Sequence, residues 1–252
     1  MRVQVHPLKL PIVEPGDDLA ELLVREFEFE EGDIVAVCST VVAKAEGRMV
    51  KLEDYEPSDL AIKLAKELNL EPEFVQAVLE ESEELILRRP FLLVKTKFGN
   101  VCVNAGIDRS NVEEGYVLLP PEDPDGSAER IRRGISKLTG KDVGVIVTDT
   151  NGRCFRRGVV GFAIGIAGVK AMRDWRGGRD LYGRVMEKTL ECVADEIAAF
   201  ANLIMGEGDW GIPAVVFRGL NLLGEGRAKD IYRSEEEDVV RRCLKLCSTS
   251  SF

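Results

Sequence analysis

Histidine is almost absent from this chain: His6 is the only one in 252 residues. That count excludes a metal centre built on imidazoles, and a Ser-His-Asp triad would have to use His6, which falls in the first alternating stretch. Any metal must rest on carboxylates, hydroxyls and carbonyls, the oxygen donors that suit Mg²⁺ or Mn²⁺. No apolar run approaches the roughly 18 residues needed to cross a bilayer. Residues 1–10 alternate apolar and polar positions and lack the apolar core of a signal peptide. The expected location is the cytoplasm, away from membranes. The six cysteines show no paired spacing of a disulfide framework. Cys38, Cys102 and Cys192 sit in apolar patterns, and the one close pair, Cys243 and Cys247, is a lone C-x-x-x-C, weak as a zinc site. Glutamine is scarce beside abundant Glu, Lys and Arg, a balance seen in thermophile proteins. A Walker A loop is also missing, since Gly140-Lys141 lacks the glycine-rich turn.

What is present is an ordinary water-soluble composition, 45% hydrophobic and 31% charged. The length suits one large domain or two small ones sharing a core, and a single domain over residues 1–252 is expected. A net charge of −10 argues against nucleic acid as a partner. The charge is uneven, however. Between Arg153 and Arg184 stand eight basic residues against only Asp174 and Asp180. Such a stretch in an acidic protein suits a small polyanionic ligand, or else a solvated loop whose arginines pair with acidic neighbours.

Periodicity predicts a strand over residues 2–8, a helix after Pro15-Gly16-Asp17 with Leu19, Leu22, Leu23 and Phe27 on one face, and a strand over 34–38. Ser58 and Pro72 each open a helix. Residues 92–96 and 101–103 read as a hairpin, 116–119 as a strand, and Ser127 as the cap of a helix reaching Leu138. Residues 143–147 form an apolar strand with Asp149 just past its end, and 159–166 are apolar between glycines. One long amphipathic helix is predicted over 184–205, then a strand over 214–217 and a surface helix in the tail over 234–247. Strands and helices mix without regular alternation, so the expected fold is α+β with mixed β-sheets and packed helices, neither Rossmann nor P-loop.

Three polar clusters stand out. Gly206-Glu207-Gly208-Asp209-Trp210-Gly211 matches G-x-G-x-x-G, but it ends a helix and precedes a strand, so it is not a dinucleotide fingerprint. One glycine suffices for a helix end. Three, interleaved with two carboxylates, suit a loop that approaches a nucleotide and its metal. Asp149-Thr150 follows an apolar strand, where a carboxylate and a hydroxyl can hold a phosphate-bridging metal or merely close an Asx-turn. Asp108-Arg109-Ser110-Asn111 is either a polar turn or a third carboxylate with Asn111 beside a base or ribose. Ser39-Thr40 with Lys44 could bind phosphate. Together Asp108, Asp149 and Glu207, with basic side chains for anions, suit metal-assisted phosphoryl transfer. A metal-dependent guanine-nucleotide phosphohydrolase and a non-catalytic nucleotide sensor use much the same parts, although neither needs a second anionic pocket.

Several blocks at once, residues 8–19, 37–47, 104–111, 147–153 and 206–211, resemble the coenzyme F-420:L-glutamate ligase family, in order over about residues 3–219. The resemblance implies a GTP-dependent γ-glutamyl ligase that adds L-glutamate by amide bonds to a deazaflavin precursor through an acyl phosphate. It implies Mn²⁺ or Mg²⁺, a pair of ions, with potassium as a helper, and a homodimer. By position, Asp108, Asp149, Thr150 and Glu207 resemble the metal ligands. Leu10, Pro11, Ile12, Val13, Ser39, Thr40, Lys44, Asn111, Met205, Gly206, Glu207, Gly208, Asp209, Trp210, Gly211 and Ile212 resemble the guanine-nucleotide site. Arg153, Arg156 and Arg157, in the basic stretch, are the candidates for the precursor or glutamate. The length implies the stand-alone form, without the C-terminal nitroreductase-like domain of some bacterial relatives.

Overall fold

A computed structural model describes residues 2–249, with side chains to residue 244; Cys247, the second thiol of the close pair, lies outside those side chains. The chain opens with β1 (Gln4–Leu8) and α1 (Leu19–Glu26). Helix α1 starts where Asp18 accepts the amides of Ala20 and Glu21, and it buries Leu19, Ala20 and Leu23. β2 (Ile34–Cys38) runs directly into α2 (Ser39–Ala45), and β3 (Met49–Lys51) follows. α3 (Asp59–Leu68) is capped by Ser58, and α4 (Pro72–Glu80) has proline in its first turn. Then come β4 (Ser82–Leu87), the hairpin β5 (Leu93–Thr96) and β6 (Val101–Val103), and β7 (Tyr116–Leu118).

The second half holds α5 (Pro124–Thr139), the long hairpin β8 (Gly144–Arg153) and β9 (Arg156–Ala167), the short pair β10 (Arg173–Asp174) and β11 (Leu190–Glu191), α6 (Val193–Met205), β12 (Ala214–Arg218) and the tail helix α7 (Val239–Thr249). The central sheet has the order β1-β12-β2-β8-β9; β2 and β8 are parallel and the other neighbours antiparallel. This is the expected α+β fold with mixed sheets. The glycine-rich stretch leaves α6 and enters β12, as its sequence context requires, and opens no Rossmann helix.

Strand alternation divides the core. Val35, Val37, Val145 and Val147 face α1 and α5, whereas Ile34, Ala36, Ile146, Val215 and Phe217 face α6. Each buried valine, isoleucine and phenylalanine side chain among these contributes about 1.5–3 kcal/mol. A third cluster packs α3 and α4 against the small sheets through Leu64, Phe74, Val78, Leu92 and Val117. β9 is an edge strand with two of its amides occupied by helix carboxylates: Asp125 of α5 accepts from Ile166 at 2.8 Å and Asp195 of α6 from Ala163 at 3.0 Å. A bulge at Ile164 turns Gly161 toward α6 and Gly165 toward α5. A Cβ on either would lie within 2.4 Å of a helix carbonyl, so only glycine lets both helices come this close.

Four expectations need correction. The helix placed at Ser127 begins at Pro124, because Asp123 caps it through the Gly126 amide and proline suits the first turn; Ser127 instead donates to Glu46. The helix predicted from residue 184 begins at Val193. Residues 175–189 pair with one another, Trp175 with Thr189 and Asp180 with Arg184, around Gly177 and Gly183 at positive φ. β8 does not stop before Asp149 but continues to Arg153, because its ladder with β9 outlasts its ladder with β2. The tail helix predicted from residue 234 begins at Val239, after a turn in which the Glu237 and Asp238 amides donate to the Ser234 carbonyl. The sequence carried no expectation of α2, β3 or β4; the half-buried Ser-Glu-Glu-Leu-Ile-Leu run of β4 has no clean alternation.

Candidate functional site

The parallel ladder of β2 and β8 ends at Cys38 opposite Thr148, and the next residues, Ser39 and Asp149, face a cavity of about 630 Å³. Six segments line it: the loop after β1, the β2–α2 junction, residues from Val103 to Asn111 at and after the end of β6, Leu118 to Pro120 at the end of β7, Thr148–Thr150, and the end of α6 with its glycine loop. Every expected nucleotide and metal residue is in this wall except Trp210. Trp210 folds back over Gly206 instead, and a Cβ there would be 2.7 Å from its ring, so glycine at positive φ is needed to end α6 this way. Arg153, Arg156 and Arg157 are not in the wall; they stand at the tip of the β8–β9 hairpin.

Four carboxylates, Asp108, Asp149, Glu207 and Asp209, line the cavity with a single cation, Lys44. Lys44 Nζ is engaged by the main-chain oxygen of Asn111 at 2.8 Å and neutralises none of them by contact. Asp149 Oδ1 accepts the Ser39 hydroxyl at 3.0 Å. Its side chain keeps some exposure to the cavity, yet loss of water around it pushes its pKa up to about 6, with Asp108 and Glu207 adding to the rise; the Ser39 hydroxyl and the Thr150 amide oppose it. Asp108 accepts the amide and hydroxyl of Ser110 at 2.7 and 2.9 Å. Glu207 Oε1 accepts Asn202 Nδ2 at 2.7 Å.

Two thiols flank Asp149. Burial, reinforced by that carboxylate, pushes Cys102 up to about 12; burial pushes Cys38 up to about 11, and backbone amides of Val41 and Thr40 only partly offset it. Both stay protonated at neutral pH, so the cavity offers no thiolate nucleophile. Its donors are oxygens, and the charge of Asp149 meets no guanidinium or ammonium, which fits a divalent cation. Among the described residues no three acidic, histidine or cysteine side chains converge on one point. An ion here would take one or two protein carboxylates and fill its sphere with phosphate oxygens and water, as Mg²⁺ commonly does.

Sequence reasoning missed Asn202, Ser110, Cys38 and Thr148. Thr148 is 3% exposed with an unpartnered hydroxyl in the cavity wall. A polar residue four places before the glycine loop, in the apolar run 197–205, was the one available sign for Asn202. The basic stretch divides in two. Arg173 pairs with Glu191 and Arg176 with Asp174, as a solvated loop does. Arg156 and Arg157 have no side-chain partner among the described residues.

These features define an α+β protein with an acidic, oxygen-lined cavity beside the end of a parallel strand pair. The sequence profile of the F420-0:gamma-glutamyl ligase family matches residues 7–219, and the chain belongs to that family of ligases. The coenzyme F420:L-glutamate ligase of Archaeoglobus fulgidus is 69% identical over 248 residues, covering 98% of this chain and all of that protein. Those of Methanopyrus kandleri and Methanosarcina mazei are 47% and 46% identical, covering 96% and 94% of this chain and 98% and 95% of theirs.

Proposed function

We propose that this protein joins L-glutamate to the deazaflavin precursor of coenzyme F420 by a γ-glutamyl amide bond, with GTP as phosphoryl donor and GDP and phosphate as products. One observation carries the reading. The cavity that gathers the family's sequence blocks holds a largely enclosed carboxylate, Asp149, whose contacts are neutral donors only. Four carboxylates and one lysine would repel a nucleoside triphosphate, so the phosphates need counter-cations, and two divalent ions, Mn²⁺ or Mg²⁺, suit that imbalance. Bound there, they would offset charge on the phosphates and leave the γ-phosphoryl open to attack.

Asp108, Asp149, Glu207 and the Thr150 hydroxyl would hold these ions, and Leu10, Pro11, Ile12, Val13, Ser39, Thr40, Lys44, Asn111 and the loop from Met205 to Ile212 would hold GTP; potassium is a candidate helper. The precursor's carboxylate takes the γ-phosphoryl to give an acyl phosphate, and the glutamate amine displaces phosphate from it. No protein nucleophile is needed. The chain's part is to align the reactants and exclude water. Arg153 lies four residues along β8 from Asp149, about 13 Å at strand rise. An elongated anionic precursor can span that interval, which supports Arg153, Arg156 and Arg157 as its binding groups.

The same hairpin and the segment after it expose Phe155 (99%), Leu181 (102%) and Tyr182 (92%), and α6 exposes Leu203 (72%). So many large apolar side chains suit contact with a second copy, and the protein is proposed to work as a homodimer, which light scattering would test. No helix among the described residues is long and apolar enough to cross a membrane, and the cytoplasm, which supplies GTP and glutamate, is the proposed location.

The direct test combines protein, GTP, Mn²⁺, L-glutamate and precursor and follows product mass together with GDP. A product heavier by one or more glutamyl units, with GDP formed only when both acceptor and amine are present, is expected. GDP release indifferent to both would mark a guanine-nucleotide phosphohydrolase, and nucleotide binding without turnover a sensor.

A further inference from the structure

Asn202 sits in the cavity wall one turn before the end of α6 and is bonded twice to the glycine loop. Its side-chain amide donates to Glu207 Oε1 at 2.7 Å, and its main-chain carbonyl accepts the Gly206 amide at 2.9 Å. It is itself fixed from behind, because α6 lies so close to β9 that a Cβ on Gly161 would be 2.8 Å from the Asn202 Cβ. The start of the same helix is tied to β9 through Asp195 and the Ala163 amide. Asn202 therefore projects from a helix anchored to the central sheet into a loop that has few anchors of its own.

The contact matches a pattern repeated around the cavity. Asp149 is held by the Ser39 hydroxyl, Asp108 by the amide and hydroxyl of Ser110, and Glu207 by the Asn202 amide. All these donors are neutral. A lysine or arginine in their place would orient the carboxylate but also offset its charge and compete with a cation. A hydroxyl or amide orients it and leaves the charge available, which is what an outer partner of a metal ligand must do.

We propose that Asn202 is a positioning residue, which holds the Glu207 carboxylate and the first residues of the glycine loop in the orientation that receives a divalent cation on the nucleotide phosphates. The proposal rests on the metal reading above. An exposed amide–carboxylate hydrogen bond adds little to folding stability, so its loss should show in metal affinity and not in the melting temperature.

The test is a titration of Mn²⁺ into the purified protein with GDP present, reading the electron paramagnetic resonance signal of the free ion. Asn202→Leu keeps the side-chain volume without a donor, Asn202→Ala removes both, and Asn202→Gln keeps an amide on a longer arm. The Leu and Ala variants should bind Mn²⁺ about 10–100-fold more weakly than wild type, with Gln between them and wild type. Tm should be the same for all four proteins. Affinity of Asn202→Leu equal to wild type would overturn the proposal, as would a loss that tracks a falling Tm and that Gln does not ease. Absence of any Mn²⁺ binding by the wild-type protein would overturn the metal reading, and the role of Asn202 with it.

Discussion

Two stretches of the same strand behave differently. At Asp149, β8 still has neighbours on both sides: Ser39 reaches its carboxylate from the β2–α2 junction, and Gly106 lies against it from the loop after β6. A few residues on, past Asn151, whose side-chain amide still donates to the Val101 carbonyl, β8 continues as a ribbon with β9, where the Arg153 side chain hydrogen-bonds the Gly158 carbonyl at 3.3 Å and Arg156 and Arg157 have no side-chain partner among the described residues. The acids are held before any ligand arrives; the bases are not. Preorganised charge suits the chemistry at a phosphoryl group, and adaptable charge suits capture of a longer anionic substrate.

The most severe way to break this contrast is Asp149→Ala. Removal of the most enclosed carboxylate should lower GDP release coupled to ligation by about 10³-fold or more. A smaller effect on turnover than that of the arginines would reverse the comparison. Replacement of Arg156 and Arg157 together by alanine should raise KM for precursor or glutamate about 10–100-fold and leave kcat nearly unchanged, since charge-assisted hydrogen bonds are lost from binding alone. Unchanged KM for both substrates would remove the arginines from the site. Ser39→Ala takes one neutral hydrogen bond from Asp149 and should slow turnover about fivefold, the effect of roughly 1 kcal/mol.

The smallest effect concerns stability in the metal-free protein. Asp149 titrates at about 6 in the fold, against 3.8 for an unperturbed side chain. The folded state therefore holds the proton more tightly, and the stability this gives is fully present below the unperturbed value and lost as pH rises through about 6. Asp149→Asn mimics the protonated form at every pH. It should match wild type near pH 3 and melt about 2–6 °C higher at pH 8, as a penalty of about 1–2 kcal/mol, discounted for the cavity's exposure to solvent, would require. Equal melting temperatures at pH 8 would show that the carboxylate is better solvated than its surroundings imply.

Much of the fold was legible because its signals are local. Alternation marked β1, unbroken apolar runs marked β2 and the start of β8, and Ser58 and Pro72 marked the starts of α3 and α4. Failures arose where a distant partner decides. The extent of β8 depends on β9, the start of α6 depends on residues 175–189 pairing with one another, and the cap of α5 shifted to Asp123 because a proline–aspartate turn competes well with a serine. The candidate site divides in the same manner. Asp108, Asp149, Glu207 and the glycine loop were visible as polar runs at the ends of apolar elements. Ser39 was visible too, but its contact with Asp149 spans 110 positions of sequence.

By itself the sequence determined the family and the exclusion of a metal centre built on imidazoles, because these follow from composition and from ungapped blocks that need no partner to be recognised. Only the tertiary structure decided that six segments meet at the end of the β2–β8 ladder, that neutral donors hold each of three carboxylates there, and that Arg153, Arg156 and Arg157 stand outside the cavity. The physical reason is that burial, charge compensation and hydrogen-bond partnership belong to pairs of residues brought together by folding, and a single position in a chain carries none of them alone.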